Sequence, residues 1–154
     1  MPTVAYQHIM IATDGSDQAR RAADHAIAIA KAFQAKLSAL AVIDIYAFMN
    51  SQAPQYGVDL LEEERALLQK AVDEIAKKAR EAGIAKVDSS VVEGAPKTQI
   101  VQTIHDTGVD LVVVGSHGRD IIERLLLGST SEHLIRHSPC PVLVVRPEEA
   151  SERH

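Results

Sequence analysis

Residues 111–131 read LVVVGSHGRDIIERLLLGSTS. The run Leu111-Val112-Val113-Val114 is apolar on both of its alternating faces, the pattern of a strand covered on both sides. Two glycines, Gly115 and Gly118, follow where that strand ends. A third, Gly128, precedes three hydroxyl residues, Ser129, Thr130 and Ser131, and the next residues, Glu132 to His137, carry a helical pattern. A strand that runs through glycines into a helix start places free N–H groups and a partial positive charge together, which favours an anion. The hydroxyls add donors for phosphate oxygens. The stretch therefore reads as a phosphate-binding turn in an α/β domain.

Working outward, the same alternation recurs. Ile9 to Thr13 is a short apolar run closed by Asp14-Gly15-Ser16, with Ser16 placed to cap the next helix. Ala19, Ala22, Ala23, Ala26, Ile27, Ala30 and Phe33 fall on one helical face ending near Gln34. Leu37 to Ile43 is a second strand. Residues Asp44 to Gly57 show no period and read as a long loop, either a lid over a ligand or a disordered connection. A long helix is expected from Val58 to Ala82, with Leu60, Leu61, Leu67, Leu68, Ala71, Val72, Ile75, Ala76 and Ala79 as its apolar stripe. Val87 to Val92 is a less apolar strand suited to an edge. Thr98 to Thr107 is a short helix, and Asp110 to Val114 the fourth strand. Ser131 to His137 is a last helix and Val142 to Val145 a last strand. Short apolar strands alternating with helices imply one α/β domain over residues 1–147, with a doubly wound, five-stranded parallel sheet and helices on both faces. Residues 148–154 form a polar tail. Ligands in such sheets bind outside the strand C-termini where the winding reverses.

Composition removes several function classes. With 154 residues, a net charge of −5 and 3% aromatic residues, the chain lacks both the basic patch and the stacking surface that nucleic acid requires. No apolar run approaches the ~20 residues of a spanning helix, and the N-terminus lacks a signal-peptide pattern, so no membrane partner and a cytoplasmic location are expected. Cys140 is the single cysteine, between Pro139 and Pro141. It reads as a small buried or half-buried apolar residue, since no second thiol completes a redox or zinc motif.

The glycine spacing excludes the commoner nucleotide motifs. There is no GxxxxGK[ST] loop, and the turn after the first strand reads ATDGSD in place of GxGxxG. No GxSxG nucleophile elbow occurs. His133 and His137 lie four apart, a spacing open to zinc, but without the Glu or third ligand that would complete a site. What remains is G-x2-G-x9-G-S on Gly115, Gly118, Gly128 and Ser129.

With that pattern in place the chain resembles the universal stress protein family, in its ATP-binding subgroup. The resemblance runs through ATDGS at 12–16, AVID at 41–44, VEGAP at 92–96, VDLVVVGSHGR at 109–119 and LLLGSTSEHLIRHSPCPVLVV at 125–145. It implies a Rossmann-like, adenine-nucleotide α-hydrolase-like fold that binds ATP or another adenine nucleotide. By resemblance, the site takes in Ala12, Thr13 and Asp14, and Val42 holds the adenine through its main chain. Asp14 lies by the ribose and phosphates through Mg²⁺ or Mn²⁺. Gly115, Ser116 and Gly118 let the backbone approach, flanked by His117 and Arg119. Gly128, Ser129, Thr130 and Ser131 take the outer phosphates. Ala12 departs from the Pro common two positions before the Asp. No catalytic residue is identified. His117, the one titratable candidate in the motif, reads as a packed loop histidine.

The expected function is an ATP-binding stress-response or regulatory protein, a switch or scaffold read by a regulatory protein partner. A slow ATP hydrolase or nucleotidyl transferase on the same fold and a nucleotide-independent dimeric interaction module are the alternatives. The apolar last strand, 142–145, sits at a sheet edge open to pairing with a second copy, and the resemblance also implies a homodimer. The other reading of that edge is that the tail covers it.

Overall fold

The structure, a computed structural model, describes residues 4–49, 57–116 and 127–147. Five strands, β1 (His8–Thr13), β2 (Lys36–Asp44), β3 (Val87–Gly94), β4 (Leu111–Gly115) and β5 (Val142–Val145), alternate with α1 (Asp17–Phe33), α3 (Gly57–Glu81), α4 (Pro96–Thr107) and α5 (Ser129–His137). A fifth helix, α2 (Ile45–Met49), directly follows β2. The strands are parallel in the order β3-β2-β1-β4-β5. The winding therefore reverses between β1 and β4, which pair through Ile9↔Leu111 to Ile11↔Val113.

The two-residue alternation of the strands sorts the core into two layers. Ile9, Ile11, Leu37, Ala39, Ala41, Ile43 and Val113 face one way and pack on α1 and α3. Met10, Leu40, Val112 and Val114 face the other way and meet Ile100 and Ile104 of α4 and Leu134 of α5. The doubly wound sheet with both faces covered is the architecture that the strand–helix alternation implies, with β3 and β5 at its edges. The alanine face of α1 lets that helix lie close on the sheet, with Ala22, Ala26 and Ala30 fully buried. Ser16 caps it, accepting from Ala19 N–H at 3.1 Å.

Several boundaries and faces differ from expectation. The irregular run after β2 begins with a helix, because the carboxylate of Asp44 accepts from Tyr46 and Ala47 N–H at 3.1 and 3.2 Å. A five-residue helix is too short to show a period. Residues 50–56, the remainder of that expected loop, lie outside the described residues. Leu60 and Leu67 of the expected apolar stripe are 43% and 48% exposed. The buried stripe of α3 is narrower, on Leu68, Val72, Ile75, Ala76 and Ala79. Phe33 is also exposed, resting edge-on against Tyr6 with ring centroids 5.2 Å apart. Both α4 and α5 begin two residues before the expected starts, Thr98 and Ser131, at Pro96 and Ser129. A helix end takes its first turn from proline or polar residues that carry no periodic signal.

Candidate functional site

The C-terminal ends of β1, β2 and β4 surround a cleft of about 490 Å³. Its floor is Ala12, Leu40, Val42 and Val114. Thr13 and Asp14 line one wall, Ala47 and Phe48 of α2 with Glu64 of α3 another, and Gly115 with Gly128–Ser131 a third. The topology explains the space. At the switch point α1 lies on one face of the sheet and α5 on the other, so among the described residues the gap above β1 and β4 stays open.

The turn after β1 is built on its own side chains. Asp14 accepts from Ser16 N–H at 2.9 Å and Thr13 Oγ1 from Gly15 N–H at 3.1 Å. Gly15 has φ +81°, a left-handed conformation that costs a residue with a Cβ, and that Cβ would stand 3.2 Å from Leu67. This turn also opens the neighbouring strand. Lys36 N–H donates to Gln7 on β1's side, Leu37 N–H to Lys86 on β3's side, and the direction alternates along β2. Val42 therefore points its main-chain groups toward β1, which pairs only as far as Thr13↔Ala41. Gly15 N–H is next in line for the Val42 carbonyl, and it is bonded to Thr13. The Val42 carbonyl thus lies at the cleft, beyond the last rung of the β1–β2 ladder.

The opposite wall is the start of α5. Its N-cap is Gly128, which has no side chain to cap the helix, where Ser, Asp or Asn would ordinarily satisfy a first-turn amide. Ser129 is exposed, Thr130 half-buried and Ser131 buried. The Ser131 hydroxyl donates to the Gly115 carbonyl at 2.6 Å, so it ties α5 to β4. Gly128 N–H donates to the Ser116 carbonyl at 2.7 Å, and Ser116 N–H to Val145 at 3.0 Å. Ser116 is buried and lines no part of the cleft. A Cβ at Gly115 would make ordinary contact, 3.4 Å, with Gln18 of α1, so the fold itself does not demand glycine there.

The structure brings Ala12, Thr13, Asp14, Val42, Gly115, Gly128, Ser129, Thr130 and Ser131 to one cavity. His117, Gly118 and Arg119 lie outside the described residues. Sequence reasoning missed Ala47, Phe48, Glu64, Pro96 and Ile100 as walls; only their place above the strand ends identifies them. The titratable residues among the described lining are Asp14, Asp44 and Glu64, an oxygen-donor set suited to a hard cation. No cluster of three His, Cys, Asp or Glu among the described residues could hold a metal unaided. A cation would need oxygens from a ligand, as Mg²⁺ shared with phosphates does. His133 and His137 lie ring to ring, 4.4 Å apart. Partial burial, then the nearby His137 and Lys97 charges, lowers the His133 pKa.

The chain is similar to known proteins over most of its length. The model of the universal stress protein family matches residues 5–146. A universal stress protein of Methanocaldococcus jannaschii is 40% identical over 144 residues, 92% of this chain and 82% of that one. The solved structure of universal stress protein UspA from Lactobacillus plantarum superposes with a TM-score of 0.85 at 29% identity, over 94% of this chain and 100% of that one. A universal stress protein solved in complex with cAMP is 34% identical, with a TM-score of 0.66 over 94% of this chain and 100% of that chain.

Proposed function

The chain belongs to the universal stress protein family, and from that premise we propose that it binds an adenine nucleotide, ATP with a divalent cation, as a cytoplasmic regulatory switch. The observation that carries this is the pairing of two unlike subsites across one cleft. The Val42 carbonyl, an acceptor released from the β ladder, suits the 6-amino donor of adenine and repels the 6-oxo group of guanine. The start of α5, with a side-chain-free cap at Gly128, suits phosphate. The cAMP-bound relative supports an adenine nucleotide as the ligand class.

Asp14 lines the same cleft, where its carboxylate would hold the ribose or, through Mg²⁺ or Mn²⁺, the phosphates. Bound beside Asp14, such a cation would supply charge neutralisation for a polyphosphate. Ala12, Thr13, Ser129 and Thr130 shape the same path. Ser131 acts through its bond to Gly115, and Ser116 through the turn it supports. His117, Gly118 and Arg119 complete the motif by resemblance. We assign no catalytic residue. The described lining contains no imidazole, and Asp44 uses its carboxylate to start α2. Binding read out by a regulatory protein partner is therefore preferred over rapid hydrolysis. The β5 edge of the sheet, which pairs only with β4 among the described residues, is assigned to a homodimer by the apolar composition that invites pairing.

Isothermal titration of the protein with ATP and Mg²⁺ tests the reading. Binding with a stoichiometry near one per chain is expected, with loss of affinity when GTP replaces ATP. No heat at high-micromolar ligand overturns it. Gly118→Val should abolish binding while leaving the circular dichroism of the sheet unchanged; retained affinity would show that the motif does not meet the ligand.

A further inference from the structure

His133 and His137 lie one turn apart on the same face of α5, with ring centroids 4.4 Å apart and ring planes inclined at 41°. His137 is exposed and His133 half-buried, so neither ring is closed off from solvent. The helix beneath them is pinned at three places. Leu134 is fully buried in the layer it shares with α4 and the sheet. The Ser131 hydroxyl ties the first turn to Gly115 at 2.6 Å, and Ser138 N–H closes the far end on the Leu134 carbonyl at 2.8 Å. The two imidazoles therefore project from one fixed turn of a regular element.

The ring separation says which kind of ion fits between them. A metal at the usual distance from an imidazole nitrogen stands about 3.1 Å from the centre of that ring. Two such rings have centroids about 4.4 Å apart when the metal–nitrogen bonds meet at a right angle, and about 5.1 Å at a tetrahedral angle. The observed 4.4 Å matches the right angle of a tetragonal ion rather than the tetrahedral angle of zinc. The other donors nearby are engaged. Glu132 pairs with Arg136 at 3.1 Å, and the half-buried Cys140 thiol lies 3.5 Å from the Ser138 hydroxyl. Among the described residues no three His, Cys, Asp or Glu side chains form a cage, so water takes the remaining positions. Lys97, in the first turn of α4, acts on His133 through its charge and opposes a bound cation.

We propose that His133 and His137 form a bidentate imidazole site for a divalent transition cation of tetragonal preference, Cu²⁺ or Ni²⁺, with water completing its shell. Imidazole nitrogens suit these ions, and two donors on one turn hold an ion more tightly than either does alone. The site stands on α5 by itself and depends on neither a ligand in the cleft nor a second copy of the chain. Bound there, the ion clips the last turn of the helix whose first turn forms the cleft wall. It stabilises that helix, because the unfolded chain does not hold the two rings together.

The experiment is calorimetry of the full chain with Ni²⁺ in a non-chelating buffer, without nucleotide. His133→Ala and His137→Ala should each weaken Ni²⁺ binding roughly tenfold or more. Alanine favours a helix and neither ring belongs to the core, so both variants should keep the native circular dichroism. Lys97→Gln should tighten Ni²⁺ binding, the reverse of its effect on an anion site. Electron paramagnetic resonance of bound Cu²⁺ should show nitrogen coupling from two imidazoles in the wild type and from one in either variant. Hydrogen exchange on the wild-type protein needs no variant: the amides of His133 to His137 should gain protection when Ni²⁺ is added. Equal Ni²⁺ affinity in the wild type and both variants places the ion elsewhere among the seven histidines and overturns the assignment. Absence of heat up to millimolar Ni²⁺ overturns it as well. Inorganic phosphate bound in place of Ni²⁺, and lost in Lys97→Gln, would make the cluster an anion site and overturn it too.

Discussion

The two ends of the sheet use similar residues to opposite ends. At the N-terminal end of the strands, His8, Lys36, Ser38, Asp88 and Asp110 bond one another. Asp110 accepts from the N–H groups of Gln7 and His8 at 2.9 and 3.1 Å, His8 Nε2 lies 2.7 Å from Ser38 Oγ, and Lys36 pairs with Asp88 at 2.9 Å. At the C-terminal end, Thr13, Asp14 and Ser131 make bonds that shape a turn or tie a helix start to a strand, Asp44 accepts the two that start α2, and all of them still line open volume. Polar residues that satisfy each other make structure. Polar residues arranged around a gap left by diverging helices make a site.

The sharpest way to break this comparison is at Asp14. Asp14→Ala should weaken ATP·Mg²⁺ binding by about 10–100-fold, the worth of a charge-assisted contact, and change the unfolding midpoint little. A large loss of stability with unchanged affinity would move Asp14 to the structural class. The mirror test is Asp110→Ala, which releases two N–H groups at the start of β1. It should cost about 1–2 kcal/mol in urea unfolding and leave nucleotide affinity unaltered.

Gln34 gives a smaller, purely structural test. It ends α1 at φ +56°, left-handed for a residue with a Cβ, while its N–H bonds Ala30 and Lys31. Gln34→Gly should stabilise the protein by about 0.5–1 kcal/mol, again without touching binding.

The smallest expected effect is a pH dependence at the N-terminal end. Burial, then the Lys36 charge, lowers the His8 pKa below 6.5. The unfolded chain then takes up a proton more readily than the folded one. The stabilising contribution is present above pH 6.5 and is lost as pH falls through the lowered folded value. Burial pushes the Asp88 carboxyl upward, but Ser38 and Lys36 outweigh it and hold it below its ordinary value. Asp88 thus stays charged throughout that window. His8→Gln should flatten the slope of stability between pH 7 and 5; an unchanged slope would place its origin elsewhere.

Much of the fold was legible because it follows from local alternation. Strands such as Ile9–Thr13 and Leu111–Val114 are apolar on both faces only if both faces are covered, and Ala22, Ala26 and Ala30 repeat at helical spacing. The short helix α2 was not legible, since five residues carry no period and its start depends on the Asp44 carboxylate. Nor was the exposure of Leu60 and Leu67, because a hydrophobic residue's period does not say how much of the helix a neighbour covers. Within the site, Asp14 and the Gly128 turn stood out as breaks in the apolar pattern. Phe48, Glu64 and Ile100 did not, for they belong to the cleft only through the placement of α2, α3 and α4.

What the sequence by itself determined is the order of strands and helices and the glycine–hydroxyl motif after β4, both written in short-range pattern. Only the tertiary structure decided how the members of that motif divide their work. Ser131 turns its hydroxyl inward to Gly115 and Ser116 gives its main-chain N–H to the Val145 carbonyl, while Ser129 and Thr130 stay at the cleft. Adjacent hydroxyls on a helix point about 100° apart, and which of them meets protein and which meets open space depends on strands distant in the chain.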